Sequence, residues 1–132
     1  MQTNTDLTLY NKYSVARVDT YQRVQILDVH WEQRHAVRGD LSSPDVALVF
    51  IPFARGADYL APRVWQVLPT KTGSWTLQIG DVIVKGLVSN ELSSTFTLSD
   101  LKRTYDDVLV ITSVDTRDFG SASLQHWEIT AR

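Results

Sequence analysis

Tyr105-Asp-Asp-Val-Leu-Val-Ile-Thr-Ser-Val114 decides the fold class. From Val108 to Val114 the run is β-branched and apolar, short, and bounded by polar residues, which reads as a central strand. Ser121 to Thr130 reads as its hairpin partner across Asp115-Thr-Arg-Asp-Phe-Gly120. Upstream, Trp75-Thr-Leu-Gln-Ile-Gly-Asp-Val-Ile-Val-Lys-Gly86 repeats the pattern, with Trp75–Ile79 and Val82–Lys85 flanking the turn chemistry of Gly80-Asp81.

The remainder of the chain is also strand-rich. Asp6 to Tyr10 is a short strand before a polar stretch through Asp19, so residues 1–20 also suit a mobile arm. From Tyr21 to Trp31 the apolar set Val24 and Ile26 gives way to Leu27, Val29 and Trp31. That change of parity predicts a β-bulge between Ile26 and Leu27, because strand side chains alternate faces with a strict period of two. Val46 to Phe53 is apolar on both faces, as in a strand covered twice or one that closes a barrel or a subunit contact, and Pro52 marks its end or an edge.

Two long connections interrupt the strands. Between Ala54 and Gly73 the segment Ala61-Pro-Arg-Val-Trp-Gln-Val67 predicts a short helix with Pro62 in its first turn. Between Leu87 and Thr104, Thr97 or Ser99 caps a one- or two-turn helix through Leu98, Leu101 and Lys102. The expectation is a mainly β, single-domain barrel or sandwich spanning 1–132, with six or seven strands and one or two short helices in the long connections.

Composition narrows the function classes. A chain of 132 residues, 43% hydrophobic and 21% charged, is one folded domain of ordinary size. Its formal net charge of −2 leaves no broad basic surface for gripping nucleic acid. With 0 cysteines it has neither disulfides nor thiolate chemistry, and no apolar run approaches a membrane span or a signal peptide.

No catalytic constellation stands out. His30, His35 and His126 lie in separate segments without metal-ligand spacing. Asp106 and Asp107 are neighbours that point to opposite faces of a strand. Serines 42, 43, 93, 94 and 99 sit in polar connections, the six glycines are dispersed, and Arg38-Gly39-Asp40 reads as a turn. No enzyme activity and no cofactor is therefore expected. Trp31, Trp65, Trp75 and Trp127 are core or interface candidates. Arg55, Arg63 and Arg103 in the long connections, together with Tyr59 and Trp65, are the candidate contact residues, since aromatic and arginine side chains dominate protein interfaces. The 90–96 loop is second choice.

Several of these segments, in order along the chain, carry a resemblance. They are Leu9-Tyr10-Asn11-Lys12, Val29-His30-Trp31, Pro52, Pro62 with Trp65, Gly80-Asp-Val-Ile-Val-Lys-Gly86, Ser99-Asp100-Leu101, Asp106-Asp107, Ile111-Thr-Ser-Val114 and His126-Trp127. Together they resemble an uncharacterised family of small proteins from the head-to-tail gene cassettes of tailed phages and prophages. The resemblance implies a virion protein of the neck, assembled in the host cytoplasm, most simply a stopper-like head-tail connector. Such a protein forms a homo-oligomeric ring, commonly a hexamer, between the portal adaptor protein and the tail terminator or tail tube protein. It would retain genomic DNA without binding it sequence-specifically, and mild acidity would let the DNA slide. A tail terminator or tail tube protein is the alternative from the same cassettes, told by a long hairpin arm and a helix packed on a sheet. A virion surface binding module would need an exposed aromatic platform, and a small hydrolase a convergent acid, base or nucleophile.

Overall fold

A computed structural model describes residues 2–34 and 46–132. His35, the Arg38-Gly39-Asp40 tripeptide, Ser42 and Ser43 lie outside the described residues. Among those described, six strands form: β1 (Thr5–Val15), β2 (Val18–Arg34), β3 (Val46–Pro52), β4 (Val82–Lys85), β5 (Val108–Arg117) and β6 (His126–Ala131). Every neighbouring pair is antiparallel, and β4 pairs back onto β1, so the order β1-β2-β3-β6-β5-β4 closes a barrel. The short helices α1 (Pro62–Gln66) and α2 (Leu98–Thr104) lie in the two long connections.

β2 and β5 are long because each serves two partners in succession. Both change register at the handover. On β2, Thr5 pairs with Val29 and Leu7 with Ile26, which leaves Leu27 and Asp28 as the bulge, Asp28 at φ 56°. The parity change at Ile26–Leu27 is therefore a bulge, as the sequence indicates, and it leaves Leu27 exposed while Ile26, Val29 and Trp31 are buried. On β5 the shift falls between Ile111 and Ser113. Bulges of this kind bend a strand sharply, which a small closed barrel requires.

The N-terminal region departs from expectation. Residues 5–20, read as a short strand running into a polar stretch or an arm, form a continuous hairpin whose ladder runs to Val15↔Val18 across a two-residue turn. Ala16 and Arg17 both take positive φ, 50° and 67°, so the turn has the twist that hairpins favour but lacks the usual Asn-Gly. Leu7, Leu9 and Tyr10 are buried, which fixes β1 as a stave of the barrel.

A second correction concerns Trp75–Ile79. It runs extended but joins no ladder. Its polar groups are met otherwise: Trp75 N–H by Asp58 O, Thr76 N–H by the Asn11 side chain and Gln78 N–H by the Asp81 carboxylate. Trp75 and Leu77 are thereby turned into the core, where apolar burial contributes about 25 cal/mol per Å². β5 also runs on to Arg117, and β6 starts only at His126, after a single 3₁₀ turn at Ala122–Leu124.

Two cores result. The barrel interior holds Leu7, Leu9, Trp31, Val49, Ile51, Ile83, Ile111 and Ile129. At one end Phe53, Tyr59, Trp75 and Trp127 stack with ring centroids 4.4–5.6 Å apart. The outer face of β1 and β4 carries a second core, in which Tyr10, Val82 and Val84 lie under Val88 and Leu101 of the second connection. There α2 is capped as anticipated: Thr97 accepts from Asp100 N–H and the Asp100 carboxylate accepts from Thr97 N–H.

Candidate functional site

The five candidate contact residues divide on their surroundings. Trp65 is 0% exposed, edge-on to Tyr13 at 5.8 Å with Lys71 Nζ over its ring, so it belongs to the interior and not to a contact surface. The reason is local: Pro62 starts α1 such that its fourth residue faces the barrel, and the largest apolar side chain of the helix is buried there. Tyr59 is half-buried in the aromatic cluster, and burial raises its phenol pKa. The full burial of Trp65 corrects its interface assignment, whereas Tyr59 keeps part of its side chain at the surface. Arg55 stays exposed and meets Asp28 at 2.6 Å, so it ties the first connection to the β2 bulge. Arg63 is exposed on α1. Arg103 is exposed and paired with Asp100.

The 90–96 loop is less free than its composition suggests. Tyr10 Oη donates to Asn90 O at 2.6 Å and Tyr105 Oη meets Asn90 Oδ1 at 2.7 Å. Burial pushes the Tyr10 phenol up to about 12.

Exposed apolar side chains mark other places. Val15 and Val18, 54% and 63% exposed, sit at the tip of the β1–β2 hairpin. Val67 and Ile79 are exposed beside α1. Phe119 and Leu124, 70% and 56% exposed, flank a hollow of about 500 Å³ at the β5–β6 connection, whose wall also includes His126 and an Arg117–Glu128 pair at 3.2 Å. Sequence reasoning did not single these residues out. The hairpin tip lies in a stretch that reads as polar, and Phe119 in one that reads only as a turn.

His30 and His126, far apart in sequence, both touch Phe50: the first is stacked at 5.6 Å and the second edge-on at 5.0 Å. Each also faces a glutamate, Glu32 at 3.0 Å and Glu128 at 3.9 Å. The phenyl ring separates the imidazoles, so the arrangement suits packing of the outer face of β3 and not shared coordination. Among the described residues, no group of three or more His, Asp or Glu is placed to hold a metal ion. Asp106 and Asp107 do not lie on a strand, as the sequence reading has them, but just before β5, which begins at Val108, and Asp107 O accepts from Lys85 N–H.

The most heavily bonded polar group is Asp81, 0% exposed beside an equally buried Asn11. Its carboxylate accepts from Asn11 Nδ2, Lys12 N–H and both Gln78 nitrogens. Burial raises its pKa to about 6 in spite of these bonds. A hollow of about 280 Å³, with Tyr13, Ser14 and Gln66 in its wall, opens beside Asp81, and the cluster pins β1, the start of β4 and the extended 75–79 segment together.

A family model described as a family of unknown function (DUF6751) matches residues 2–132. No curated protein matches the chain, and no solved structure does.

Proposed function

The chain belongs to this family of unknown function over nearly its whole length, and on that premise we propose that it is a structural, ring-forming protein of the tailed-phage neck, a stopper-like head-tail connector. The observation that carries an assembling role is the distribution of exposed apolar side chains. Among the described residues most of them occupy three separate places, the hairpin tip at Val15 and Val18, the α1 side at Val64, Val67 and Ile79, and the β5–β6 connection at Phe119 and Leu124, with Leu27 and Leu87 exposed elsewhere. A subunit in a cyclic ring needs different patches for its two neighbours, and a connector needs further surface above and below. The assignment to the neck comes from the sequence resemblance alone.

A second reading, a tail terminator or tail tube protein, draws support from a specific feature. The β1–β2 ladder continues from Asn11 to Val15 beyond the last residue paired with β4, and α2 packs on the outer face of the barrel. A long hairpin arm and a helix on a sheet are what that reading calls for.

Image reconstruction of purified particles tests both. A ring of this chain between portal adaptor and tail is the result expected of a connector, and a ring at the head-proximal end of, or along, the tail supports the second reading. Absence from the neck and tail overturns both.

A further inference from the structure

The closed barrel places two of the exposed apolar surfaces at one end and on opposite walls. Every neighbouring pair is antiparallel, so β1, β3 and β5 run in one direction, and the β1–β2 turn and the β5–β6 connection leave the barrel at the same end. Around the order β1-β2-β3-β6-β5-β4, the β5–β6 pair stands three places from the β1–β2 pair, which is the far side of a six-stranded barrel.

The first of these surfaces is a ridge. The β1–β4 ladder ends at Tyr10↔Val82 and Tyr13 is packed edge-on to Trp65, so residues 14–19 are the part of the hairpin that projects. Val15 and Val18 are directly paired across the turn, which sets both side chains on the same face of the ladder, 54% and 63% exposed. The second surface is concave. Phe119 and Leu124, 70% and 56% exposed, line the hollow of about 500 Å³ at the β5–β6 connection. Large apolar side chains left this open on a folded domain mark contact surfaces.

Unpaired charge distinguishes the two. At the ridge, Lys12 is taken by Asp19 at 3.4 Å, and at the hollow, Arg117 is taken by Glu128 at 3.2 Å and Asp115 at 4.0 Å. These internal pairs leave Arg17, in the turn itself, and Asp118, next to Phe119. Both are exposed, and among the described residues neither side chain has an ion pair or hydrogen bond. The ridge therefore presents a free cation and the rim of the hollow a free anion.

We propose that the β1–β2 turn of one copy seats in the β5–β6 hollow of a second copy, with Val15 and Val18 against Phe119 and Leu124 and with Arg17 beside Asp118. A second copy is selected because the ridge matches the hollow in shape, in polarity and in the sign of the charge that internal pairing leaves over. Because each copy carries one ridge and one hollow on opposite walls, the contact is heterologous and repeats until a ring closes. The proposal rests on the ring reading for its choice of partner and adds the contact by which the ring forms.

The chain has 0 cysteines, so a disulfide can trap the contact without background. Val18→Cys with Leu124→Cys in the full chain is expected to give a ladder of linked multimers on non-reducing electrophoresis, whereas either single variant gives none. Within one copy the two positions lie on opposite walls, beyond the roughly 7 Å that a disulfide spans between Cα atoms. Arg17→Glu and Asp118→Arg, both exposed and folded by circular dichroism, should each raise the concentration needed for assembly in native mass spectrometry about tenfold or more, and the two together should restore it. Wild type that assembles while the cysteine pair stays unlinked, or charge reversals that do not rescue each other, overturn this contact, leave the ring reading standing and give the hollow to a different partner. A wild type that remains monomeric at its solubility limit overturns the contact as well, and the ring reading then stands or falls on the particle reconstruction.

Discussion

Asn11 and Asp81, both fully buried, are joined by a 2.7 Å hydrogen bond from Asn11 Nδ2 to Asp81 Oδ2. The same Asn11 amide nitrogen also donates to Thr76 O at 2.7 Å, and its oxygen accepts from Thr76 N–H at 3.1 Å. One side chain thus satisfies both backbone groups of Thr76, in an extended segment whose pairing is a single bridge from Trp75 to Tyr59. Removing it by Asn11→Ala leaves the Thr76 backbone groups and part of a buried carboxylate unpaired. Since each orphaned buried group costs about 1–3 kcal/mol, a loss of about 2–4 kcal/mol in urea unfolding is expected, with loss of order at Trp75 seen as a change in tryptophan emission. A loss within error of zero would show that the 75–79 segment is held by packing alone.

Asp81 makes stability depend on pH in an unusual sense. Its folded pKa, raised to about 6 from the ordinary 3.8, means that the folded state holds the proton more tightly than the unfolded one. The contribution of this group is therefore greatest below the ordinary value and declines as pH rises through about 6. By linkage the change amounts to roughly 2–3 kcal/mol. Asp81→Asn should be less stable than wild type at low pH, because an amide cannot accept from all the donors around it, and the gap should narrow from about pH 4 to about pH 6 and stay level above. Unfolding curves across that range decide it: a constant gap would mean that folding does not raise the pKa of Asp81. Asp100 acts in the opposite sense. The Thr97 N–H and Arg103 hold its carboxyl below the ordinary range, so its contribution is present at neutral pH and disappears on acidification below the usual carboxylate value.

What could be read from the sequence was what local rules encode. The Ile26–Leu27 parity change marks the bulge, Pro62 marks the start of α1, and Thr97, one of the two residues the sequence offers beside Ser99, is the cap of α2. The misses arise where tertiary contacts override local pattern. Ser14-Val-Ala-Arg-Val18 carries no turn residue, so its hairpin was illegible, although Val15 and Val18 flank it symmetrically. Asn11 and Asp81 look like surface residues until the barrel brings together positions seventy apart. Trp75–Ile79 alternates like a strand, but a side-chain network takes the place of a ladder. Of the contact candidates, Arg55, Arg63 and Arg103 are exposed, while of the two aromatics Trp65 is taken wholly and Tyr59 partly by the core, which competes with interfaces for the same residue types.

That division predicts contrasting substitutions. Trp65→Ala empties a fully buried site and is expected to cost about 3–5 kcal/mol. Arg63→Ala and Arg103→Ala are expected to cost less than about 0.5 kcal/mol, as exposed changes usually do. Thermal unfolding of the three variants separates them; a Trp65→Ala protein as stable as wild type would place that ring outside the core.

The turn at Ala16-Arg17 should be improvable. Two non-glycine residues at φ 50° and 67° sit where an L side chain meets its own backbone, at about 1 kcal/mol or more each. Ala16→Asn with Arg17→Gly installs the residues this turn type prefers. The double variant should unfold at higher denaturant by about 1 kcal/mol with an unchanged slope, and a destabilised protein would mean that Arg17 makes a compensating contact.

Gly56 is tighter still, for a different reason. A β-carbon there would lie 2.4 Å from Trp127 Cη2 and 2.9 Å from Cζ3. The indole cannot retreat easily, because Phe53, Tyr59 and Trp75 surround it within 5.6 Å. Gly56→Ala is thus expected to cost about 1–3 kcal/mol through overpacking. The loss should be accompanied by altered near-ultraviolet circular dichroism from the displaced aromatic cluster. Restoring space with Gly56→Ala plus Trp127→Phe should recover part of the loss, whereas a double variant no better than the sum of the two single changes would show that the strain lies in the backbone at Gly56 and not against the ring.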